Sequence, residues 1–408
     1  MKADLILYDI GQLITSRELE ENHIEILENG YLAIKGDTII GVGTGEVPTS
    51  FIQFDTKFVR IGKKVVSPGL VDSHTHLVHG GSREHEFSMK IQGVPYLEIL
   101  AAGGGILSTL KATREASLED LIEKTKKSLR YMLELGVTTV EAKSGYGLSL
   151  EQEIKQLEAT KLLNHLQPVS LVSTFMAAHA TPPEFKGRTA DYVEEVIKML
   201  PEIKKRNLAE FCDVFCEEGV FSVEESRKIL SKAKELGFQL KIHADEVVSL
   251  GGVNLAGELQ AVTAEHLMVI TDEGIEALKK GNVIADLLPA TSFNLRHDYA
   301  PARKILEAGV QVALSTDYNP GSCPSENLQF VMQIGAAHLK MTTEEVFKAV
   351  TINGAKAVCR EKEIGSLEVG KQADIAVFDV PNAEYMLYHF GVNHTDSVYK
   401  AGKLVYQR

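Results

Sequence analysis

The chain has few cysteines, and none of them forms a metal-binding or redox pair. The four lie at positions 212, 216, 323 and 359, without a C-x-x-C motif. Cys212 and Cys216 fall in a segment that is predicted to be a strand, where residues four apart do not easily share a metal ion. The cysteine pattern therefore predicts buried, reduced thiols in a cytoplasmic protein.

Long apolar runs and an excess of basic residues are also missing. No uninterrupted apolar run approaches the ~20 residues that a membrane-spanning helix needs. The start of the chain, Met1 to Asp4, leads into alternating strand sequence without a signal-peptide core. Lysine and arginine number 43 against 56 acidic residues, which gives a net charge of −13. Because this charge repels nucleic acid and anionic membranes, we expect neither partner and a cytoplasmic location.

What remains is the composition of an ordinary globular enzyme. The 408 residues are 44% hydrophobic and 24% charged. This length accommodates about two or three domains of usual size, or one large barrel with a smaller satellite domain.

Both ends of the chain have the alternating pattern of short β-strands. The predicted strands are Leu5–Tyr8, Gly30–Ile34, Thr38–Val42 and Phe58–Ile61 near the start, and Ala373–Phe378, Asp396–Tyr399 and Lys403–Tyr406 near the end. We therefore predict a small composite β-sandwich domain from residues 1–66 and 361–408, and a catalytic domain over residues 67–360.

The middle of the chain alternates apolar strand patterns with amphipathic helix patterns. The predicted strands are Leu70–Leu77, Thr138–Ala142, Ser170–Ala178, Asp213–Cys216, Leu240–Ala244, Ala261–Glu265, Val283–Leu288 and Gln311–Ser315. The helix patterns between them include Leu118–Leu135, Leu150–Leu166, Asp191–Lys205, Val223–Leu236 and Thr271–Lys280. This rhythm is typical of a (β/α)₈ barrel, and an open doubly wound sheet shares it.

Polar residues at the strand ends favour the barrel. At the carboxyl ends of the predicted strands, the chain carries His74, His76, Lys143, His179, Glu217, His243, His266 and Asp317. In a barrel those ends meet around one mouth, where active sites of this fold lie. In an open sheet the first and last strands can lie too far apart to share a metal ion. We therefore predict an α/β fold of the (β/α)₈ TIM-barrel type.

The motif His74-Thr75-His76 is the strongest indication of a metal site. On a strand, side chains at i and i+2 share a face about 7 Å apart, so two imidazoles are able to converge on one ion. Imidazole nitrogen suits zinc and iron. Two surface histidines on an edge strand are the alternative, which the further ligand types downstream disfavour.

The segments that carry these residues resemble the amidohydrolase superfamily of metal-dependent hydrolases. The matching segments are Pro68–His76, Lys241–Glu246, Ala264–His266, Ser315–Asp317 and Gly365–Asp374. Four longer stretches, 79–86, 103–109, 143–147 and 317–322, narrow the resemblance to the cyclic-amide hydrolases of histidine breakdown. The resemblance implies hydrolysis of 4-imidazolone-5-propanoate to N-formimidoyl-glutamate. Another amidohydrolase, a ring-amidine deaminase or a hydantoinase-like ring opener, is the alternative.

The resemblance also implies roles for individual residues. It assigns one zinc or iron ion to His74, His76, His243 and Asp317, and catalysis to Glu246, His266, Asp317 and His179. It assigns substrate contacts to Arg83, Tyr146, His179, Glu246, Asn319, Gly321 and Ser322. The fourth strand ends Phe215-Cys216-Glu217-Glu218, without the bridging lysine of two-metal relatives, so one metal is expected. Family analogy suggests a homodimer.

Several of these roles have simpler alternatives. Arg83 is able to read a propionate through a bidentate contact, or to form a surface ion pair with Glu84 or Glu86. For Glu246 the alternative is a helix cap, formed by Asp245 or Glu246, and for His266 it is a packed core histidine. Whether zinc or iron is bound, and whether Glu246, His266 or Asp317 carries the proton, stays open.

Overall fold

The computed structural model of this chain describes residues 1–20, 23–94, 98 and 104–408. The described strands are β1 (Leu5–Glu20), β2 (His23–Lys35), β3 (Thr38–Thr44), β4 (Lys57–Arg60), β5 (Val65–Pro68), β6 (Leu70–Asp72), β7 (Val137–Lys143), β8 (Ser170–Ala178), β9 (Phe211–Cys216), β10 (Gln239–Ala244), β11 (Thr263–His266), β12 (Ile284–Leu287), β13 (Val312–Leu314), β14 (Ile375–Phe378), β15 (Thr395–Lys400) and β16 (Lys403–Gln407).

Helices follow most of the central strands. The described α-helices are α1 (Glu84–Ile91), α2 (Ile106–Glu115), α3 (Leu118–Glu134), α4 (Leu150–Leu166), α5 (Thr189–Lys205), α6 (Val223–Glu235), α7 (Gly252–Leu259), α8 (Asp272–Gly281), α9 (Pro289–Leu295), α10 (Ala302–Glu307), α11 (Leu328–Ala337), α12 (Thr343–Ala349), α13 (Ile352–Ala357) and α14 (Ala383–Tyr388). None of these helices is long and apolar enough to cross a bilayer.

Strands β6 to β13 form one parallel sheet in chain order, and its two edges meet. The backbone N–H of His76 donates to the carbonyl of Tyr318 at 2.9 Å, and the N–H of Asp317 donates to the carbonyl of His74 at 3.1 Å. These bonds join the segment after β6 to the segment after β13. The sheet therefore wraps into the predicted barrel, and the open-sheet alternative is wrong.

The first barrel strand is shorter than the predicted Leu70–Leu77, because β6 ends at Asp72. Beyond that point the backbone is held by separate bonds to both neighbours. The Thr75 hydroxyl donates to the carbonyl of Glu141 at 2.6 Å, while His74 and His76 bond toward the other edge. The i, i+2 relation of the two histidines is thus kept without a regular strand.

The long helices begin and end close to their predicted limits, and two of them begin at a reciprocal capping pair. At α3 the side chain of Ser117 accepts the N–H of Asp120, whose carboxylate in turn accepts the N–H of Ser117. Ser222 and Glu225 form the same reciprocal pair at α6. Helices of six to eight residues, α1, α7, α9, α10 and α12 to α14, were not predicted, since so few residues give little periodicity. The ten-residue helices α2 and α11 were also not predicted.

The two chain ends build one second sheet, as predicted. Its order is β16-β15-β14-β5-β1-β2-β3, with β4 beside β1. Apolar side chains from both ends pack into one buried cluster, including Leu7, Leu32, Val66 and Ile375. Strand β1 is longer than the predicted Leu5–Tyr8. Its pairing with β2 is irregular at several points, and these irregularities break the two-residue alternation on which the prediction relied.

The cysteine prediction is correct for three residues and wrong for one. Cys212, Cys216 and Cys323 are buried free thiols, whereas Cys359 is exposed. Cys359 lies just past the end of α13 with a φ of +56°, so it belongs to an outward turn rather than to the packed interior.

Candidate active site

Three histidines and an aspartate from distant parts of the chain meet at the mouth of the barrel. His74 and His76 follow β6, His243 lies in β10, and Asp317 follows β13. Nε2 of His243 lies 3.4 Å from Nε2 of His76. Oδ1 of Asp317 lies 3.4 Å from Nε2 of His74 and 3.7 Å from Nε2 of His76. All four side chains are buried.

His266, at the end of β11, lies beside the same group. Its ring centroid is 5.6 Å from that of His74 and 5.2 Å from that of His243. One nitrogen from each of these three histidines lies within 4.8 Å of the other two, as do ligand atoms of His74, His76 and Asp317. Nε2 of His266 also lies 3.7 Å from Oε2 of Glu246, so the predicted acid–base residues adjoin the predicted ligands.

The atoms that face the centre of this group fit a metal ion. Buried Nε2 of His74 has no hydrogen-bond partner among the described residues, although buried polar atoms are normally satisfied. Between the facing Nε2 atoms of His76 and His243 only one proton fits. Imidazole nitrogens with one carboxylate oxygen form a donor set that suits zinc or iron.

A charged cluster lies beneath this group, inside the barrel. Nζ of Lys143 lies 2.9 Å from a Glu141 oxygen, 2.7 Å from an Asp213 oxygen and 3.1 Å from a Glu265 oxygen. All four side chains are fully buried. Lys241 adds a second ammonium, which donates to the carbonyl of Ser73 at 2.9 Å. Buried carboxylates are tolerated only when paired in this way.

Two of these carboxylates touch the histidines on the side away from the metal position. Nδ1 of His74 lies 2.9 Å from Oε2 of Glu265. Nδ1 of His243 lies 3.0 Å from Oδ2 of Asp213 and 3.1 Å from Oε2 of Glu265. Carboxylates in this position favour a proton on Nδ1, which leaves Nε2 free as the ligand atom.

The sequence prediction overlooked most of this cluster. Lys143 was noted only among the polar residues at the strand ends, while Glu141, Asp213 and Glu265 were given no role. A signal was present, because each acid lies inside a barrel strand: Glu141 and Asp213 lie between apolar or small residues, and Glu265 follows Ala264. An acid in such a strand needs a buried partner.

Opposing effects of burial and charge shift several pKa values. Burial lowers the pKa of His74, but the nearby carboxylates of Glu265 and Asp317 outweigh burial and raise it to about 10. Burial raises the pKa of Asp317, but its contact with His74 brings it to about 2. In the chain alone these two side chains therefore carry opposite charges. Burial also raises the pKa of Glu246, which suits a group that accepts and returns a proton.

His179 and Tyr146 line the same mouth from the neighbouring strands. The His179 ring stacks on His76, with centroids 4.6 Å apart and planes 14° apart. The Tyr146 ring lies 5.2 Å from that of His179 and 5.8 Å from that of His76. Both are thus near the predicted metal ligands, as a substrate contact requires.

The loop that carries Tyr146 is held by a buried carboxylate that the sequence analysis did not identify. Glu153, in α4, accepts the N–H groups of Gly145 at 3.1 Å, Gly147 at 2.9 Å and Leu148 at 2.7 Å. The N–H of Tyr146 itself donates to the Gln156 side chain at 3.1 Å. Four consecutive backbone donors are therefore satisfied by one helix.

Arg83 lies at the mouth but is already paired. Its Nε and Nη2 groups donate to the two carboxylate oxygens of Glu86, at 2.9 and 2.7 Å. The ion pair with Glu86 is therefore present, and it is buried rather than exposed. The guanidinium also lies against Gly321, where any Cβ would overlap Nη1. Arg83 and the predicted substrate loop are thus neighbours.

The loop after Asp317 is closed on itself by hydrogen bonds. Oδ1 of Asn319 accepts the N–H groups of Gly321 and Ser322, both at 2.8 Å. Nδ2 of Asn319 donates to the carbonyl of Asp317 and to the Ser322 hydroxyl, both at 2.7 Å. The backbone amides of Gly321 and Ser322, two residues that were predicted to contact substrate, are thus engaged within the loop, and the carboxamide of Asn319 organises it.

Comparison with known proteins decides the family. Residues 65–405 match the amidohydrolase family. The chain belongs to this family. Amidohydrolases are metal-dependent, and the chain has residue groups able to hold a metal ion. The resemblance found in the sequence is therefore confirmed.

Similar relatives within the amidohydrolases carry the name imidazolonepropionase. One from Fusobacterium nucleatum subsp. nucleatum is 71% identical over 413 residues, covering all of both chains. Others come from Streptococcus gordonii, 57% identical with 99% of this chain and 98% of the relative covered, and from Alkaliphilus oremlandii, 54% identical with 100% and 99% covered. These full-length matches do not favour the deaminase and hydantoinase alternatives.

Solved structures support the fold. A zinc-bound adenosine deaminase from Xanthomonas campestris has a TM-score of 0.74 at 19% identity, covering 99% of this chain and 93% of its own. The ochratoxinase of A. niger also has a TM-score of 0.74 at 19% identity, covering 100% and 97%. At this identity the likeness establishes the amidohydrolase architecture alone.

Proposed function

We propose that this chain hydrolyses the ring amide of 4-imidazolone-5-propanoate and releases N-formimidoyl-L-glutamate. The relatives named above support the substrate. The observation that carries the proposal is that a guanidinium, Arg83, lies beside the same loop that supplies Asp317 to the histidine cluster. A carboxylate-binding group near a hydrolytic centre matches a cyclic amide that bears a propionate.

We propose that His74, His76, His243 and Asp317 hold one metal ion, zinc or iron, since the donor set accepts both. A metal ion held by these residues would lower the pKa of a water toward ~7 and would polarise the ring carbonyl. One ion is favoured because β9 is followed by Glu217 rather than by a lysine. The charged cluster around Lys143 keeps the histidine Nε2 atoms directed toward the centre.

The proton transfers are assigned to Glu246. Its carboxylate takes a proton from water as the water oxygen attacks the ring carbonyl carbon. It then returns that proton to the ring nitrogen as the carbon–nitrogen bond breaks, so that one water molecule is consumed. His266, adjacent to Glu246, donates to the carbonyl oxygen as negative charge develops on it. Asp317 is the alternative proton carrier, and its second oxygen accepts from the Thr291 hydroxyl at 2.6 Å.

Substrate binding is assigned to residues around the rim. Arg83 receives the propionate, and Tyr146 and His179 cover the ring from the other side. Asn319, Gly321 and Ser322 form the wall between the propionate and the carboxylate of Asp317. We further propose a cytoplasmic homodimer that has neither nucleic-acid nor membrane partners, on family analogy and charge.

The direct test is product analysis with two substrates. Metal-loaded protein is incubated with 4-imidazolone-5-propanoate or with imidazolone lacking the propionate, and the products are identified by mass spectrometry. N-formimidoyl-glutamate from the first, with a much lower kcat/KM on the second, is expected. No product from either imidazolone would contradict the proposal and would favour the deaminase alternative, which a ring amidine as a third substrate then tests by release of ammonia.

A further inference from the structure

Glu86 and Arg83 form a buried ion pair at the rim of the site. The side chains are 1% and 11% exposed, respectively. Removing two charges from water is unfavourable unless the geometry is good, and this pair has two nearly parallel hydrogen bonds. Glu84, two residues earlier in the same segment, bonds only to the Ser82 hydroxyl among its described hydrogen-bond partners and is exposed.

The ion pair with Glu86 occupies one edge of the Arg83 guanidinium and leaves its other edge available for a ligand. An arginine side chain has five N–H bonds in a planar fork. Glu86 accepts from Nε and from one N–H of Nη2. The remaining three N–H bonds lie on Nη1 and Nη2, and together they form a second edge that is able to bind a carboxylate through two parallel bonds.

The second edge lies at the substrate loop. A Cβ at Gly321 would come within 2.8 Å of Arg83 Cζ and would overlap Nη1, so the guanidinium occupies the space that only glycine leaves there. Asn319 fixes the backbone of Gly321 and Ser322. The position of the free edge is therefore set from one side by Glu86 and from the other by this loop.

We propose that Glu86 is a positioning residue for substrate specificity: it holds Arg83 so that its Nη1–Nη2 edge receives the substrate carboxylate. This inference rests on the function proposed above. Glu86 also accepts the N–H of Gly105 at 2.8 Å, just before α2. The test must therefore separate an effect through Arg83 from a general effect on the segment around Gly105.

The first experiment compares Glu86→Gln with Glu84→Gln in the full-length, metal-loaded chain. A glutamine offers one acceptor oxygen and one amide group that donates, so it does not satisfy both arginine N–H groups. For 4-imidazolone-5-propanoate, Glu86→Gln should raise KM by about tenfold or more, as the loss of ~1.4 kcal/mol implies, with kcat within about twofold. Turnover of the bare imidazolone ring should match wild type, and Glu84→Gln should match wild type on both.

The second experiment is a double-mutant cycle with Arg83→Ala. If Glu86 acts through Arg83, Glu86→Gln should add no further loss in the Arg83→Ala background. A further loss there, or an equal loss on both substrates, would assign Glu86 to the segment around Gly105 and overturn the proposal. Wild-type kinetics in Glu86→Gln would also overturn it.

Two further outcomes remain decisive. If Glu86→Gln fails to fold, Glu86→Asp keeps the charge but withdraws the carboxylate from Arg83 by one methylene. A rise in KM confined to the propanoate then supports the proposal, and an unchanged KM overturns it. If wild type does not hydrolyse the propanoate at all, the proposed function fails and this inference fails with it. Wild-type turnover with an unaffected Glu86→Gln variant rejects the role of Glu86 alone.

Discussion

Glu246 is the residue on which the proton transfers depend in the proposed mechanism. Its side chain is 14% exposed and lies beside His266, so it is sheltered yet near the reacting atoms. Glu246→Gln should keep the metal and lower kcat by roughly 10²-fold or more, the usual contribution of a positioned proton carrier. Glu218→Gln, an exposed neighbour of β9, is the control. A near-normal kcat would transfer the role to Asp317 or His266.

The ionisation of Glu246 should also determine how kcat depends on pH in the acid range. Burial raises the pKa of Glu246 above the ordinary glutamate value. A carboxylate acts as a base only when it is ionised, so its activity is lost as the pH falls through its pKa. The pH at which kcat falls on the acid side should therefore be higher than the ordinary pKa of glutamate. Measuring kcat against pH in wild type and Glu246→Gln checks this. An identical limb in both proteins would exclude Glu246 as its source.

Among residues that do not contact substrate, Lys143 is expected to have the largest effect on stability and on metal affinity. It neutralises the carboxylates that contact His74 and His243. Lys143→Met should lower the free energy of unfolding by about 3–5 kcal/mol, because it leaves buried charges unpaired. Metal affinity should fall by about 10–100-fold, the usual effect of disturbing the partners of metal ligands. Denaturant unfolding and metal-binding titration measure the two quantities, and an unchanged affinity would refute the link.

Among the structural elements, the loop from Gly145 to Leu148 shows how a helix positions a substrate-binding residue. Glu153→Gln replaces a buried carboxylate that accepts three N–H groups with an amide. Hydrogen bonds to a charged group contribute about 1.5–3 kcal/mol, so stability should fall by about that amount and KM should rise as Tyr146 loosens. Glu151→Gln, on the exposed side of α4, should change neither. Equal stability of Glu153→Gln and Glu151→Gln would mean that the loop keeps its conformation without the Glu153 carboxylate.

Sequence patterns located the strands and long helices well where the residues repeat regularly. All eight predicted barrel strands correspond to β6 to β13, and α4 has the predicted limits. The pattern misled at β6, because His74 and His76 continue the alternation after the regular strand has ended. It also missed most of β1, where irregular pairing interrupts the alternation that the prediction relies on.

At the scale of the whole molecule, the barrel brings together residues that are more than 240 positions apart. The sequence predicted that His74 and Asp317 lie in one site, because both are at strand ends and every strand of a parallel barrel ends at the same mouth. The ion pair of Arg83 with Glu86 is local, three residues apart, and the sequence offered it as an alternative without choosing between Glu84 and Glu86. The cluster around Lys143 was not predicted, because it depends on which side chains of β7, β9 and β11 face each other inside the barrel, and sequence spacing does not determine that.

The central claim is that one metal ion, held by side chains from both edges of the barrel, is required for ring opening. It is tested most directly by titrating metal-free protein with zinc or ferrous ion while measuring turnover of 4-imidazolone-5-propanoate. Turnover should rise in proportion to bound metal and level off at one ion per chain. Full turnover without metal, or a plateau only at two ions per chain, would contradict the account.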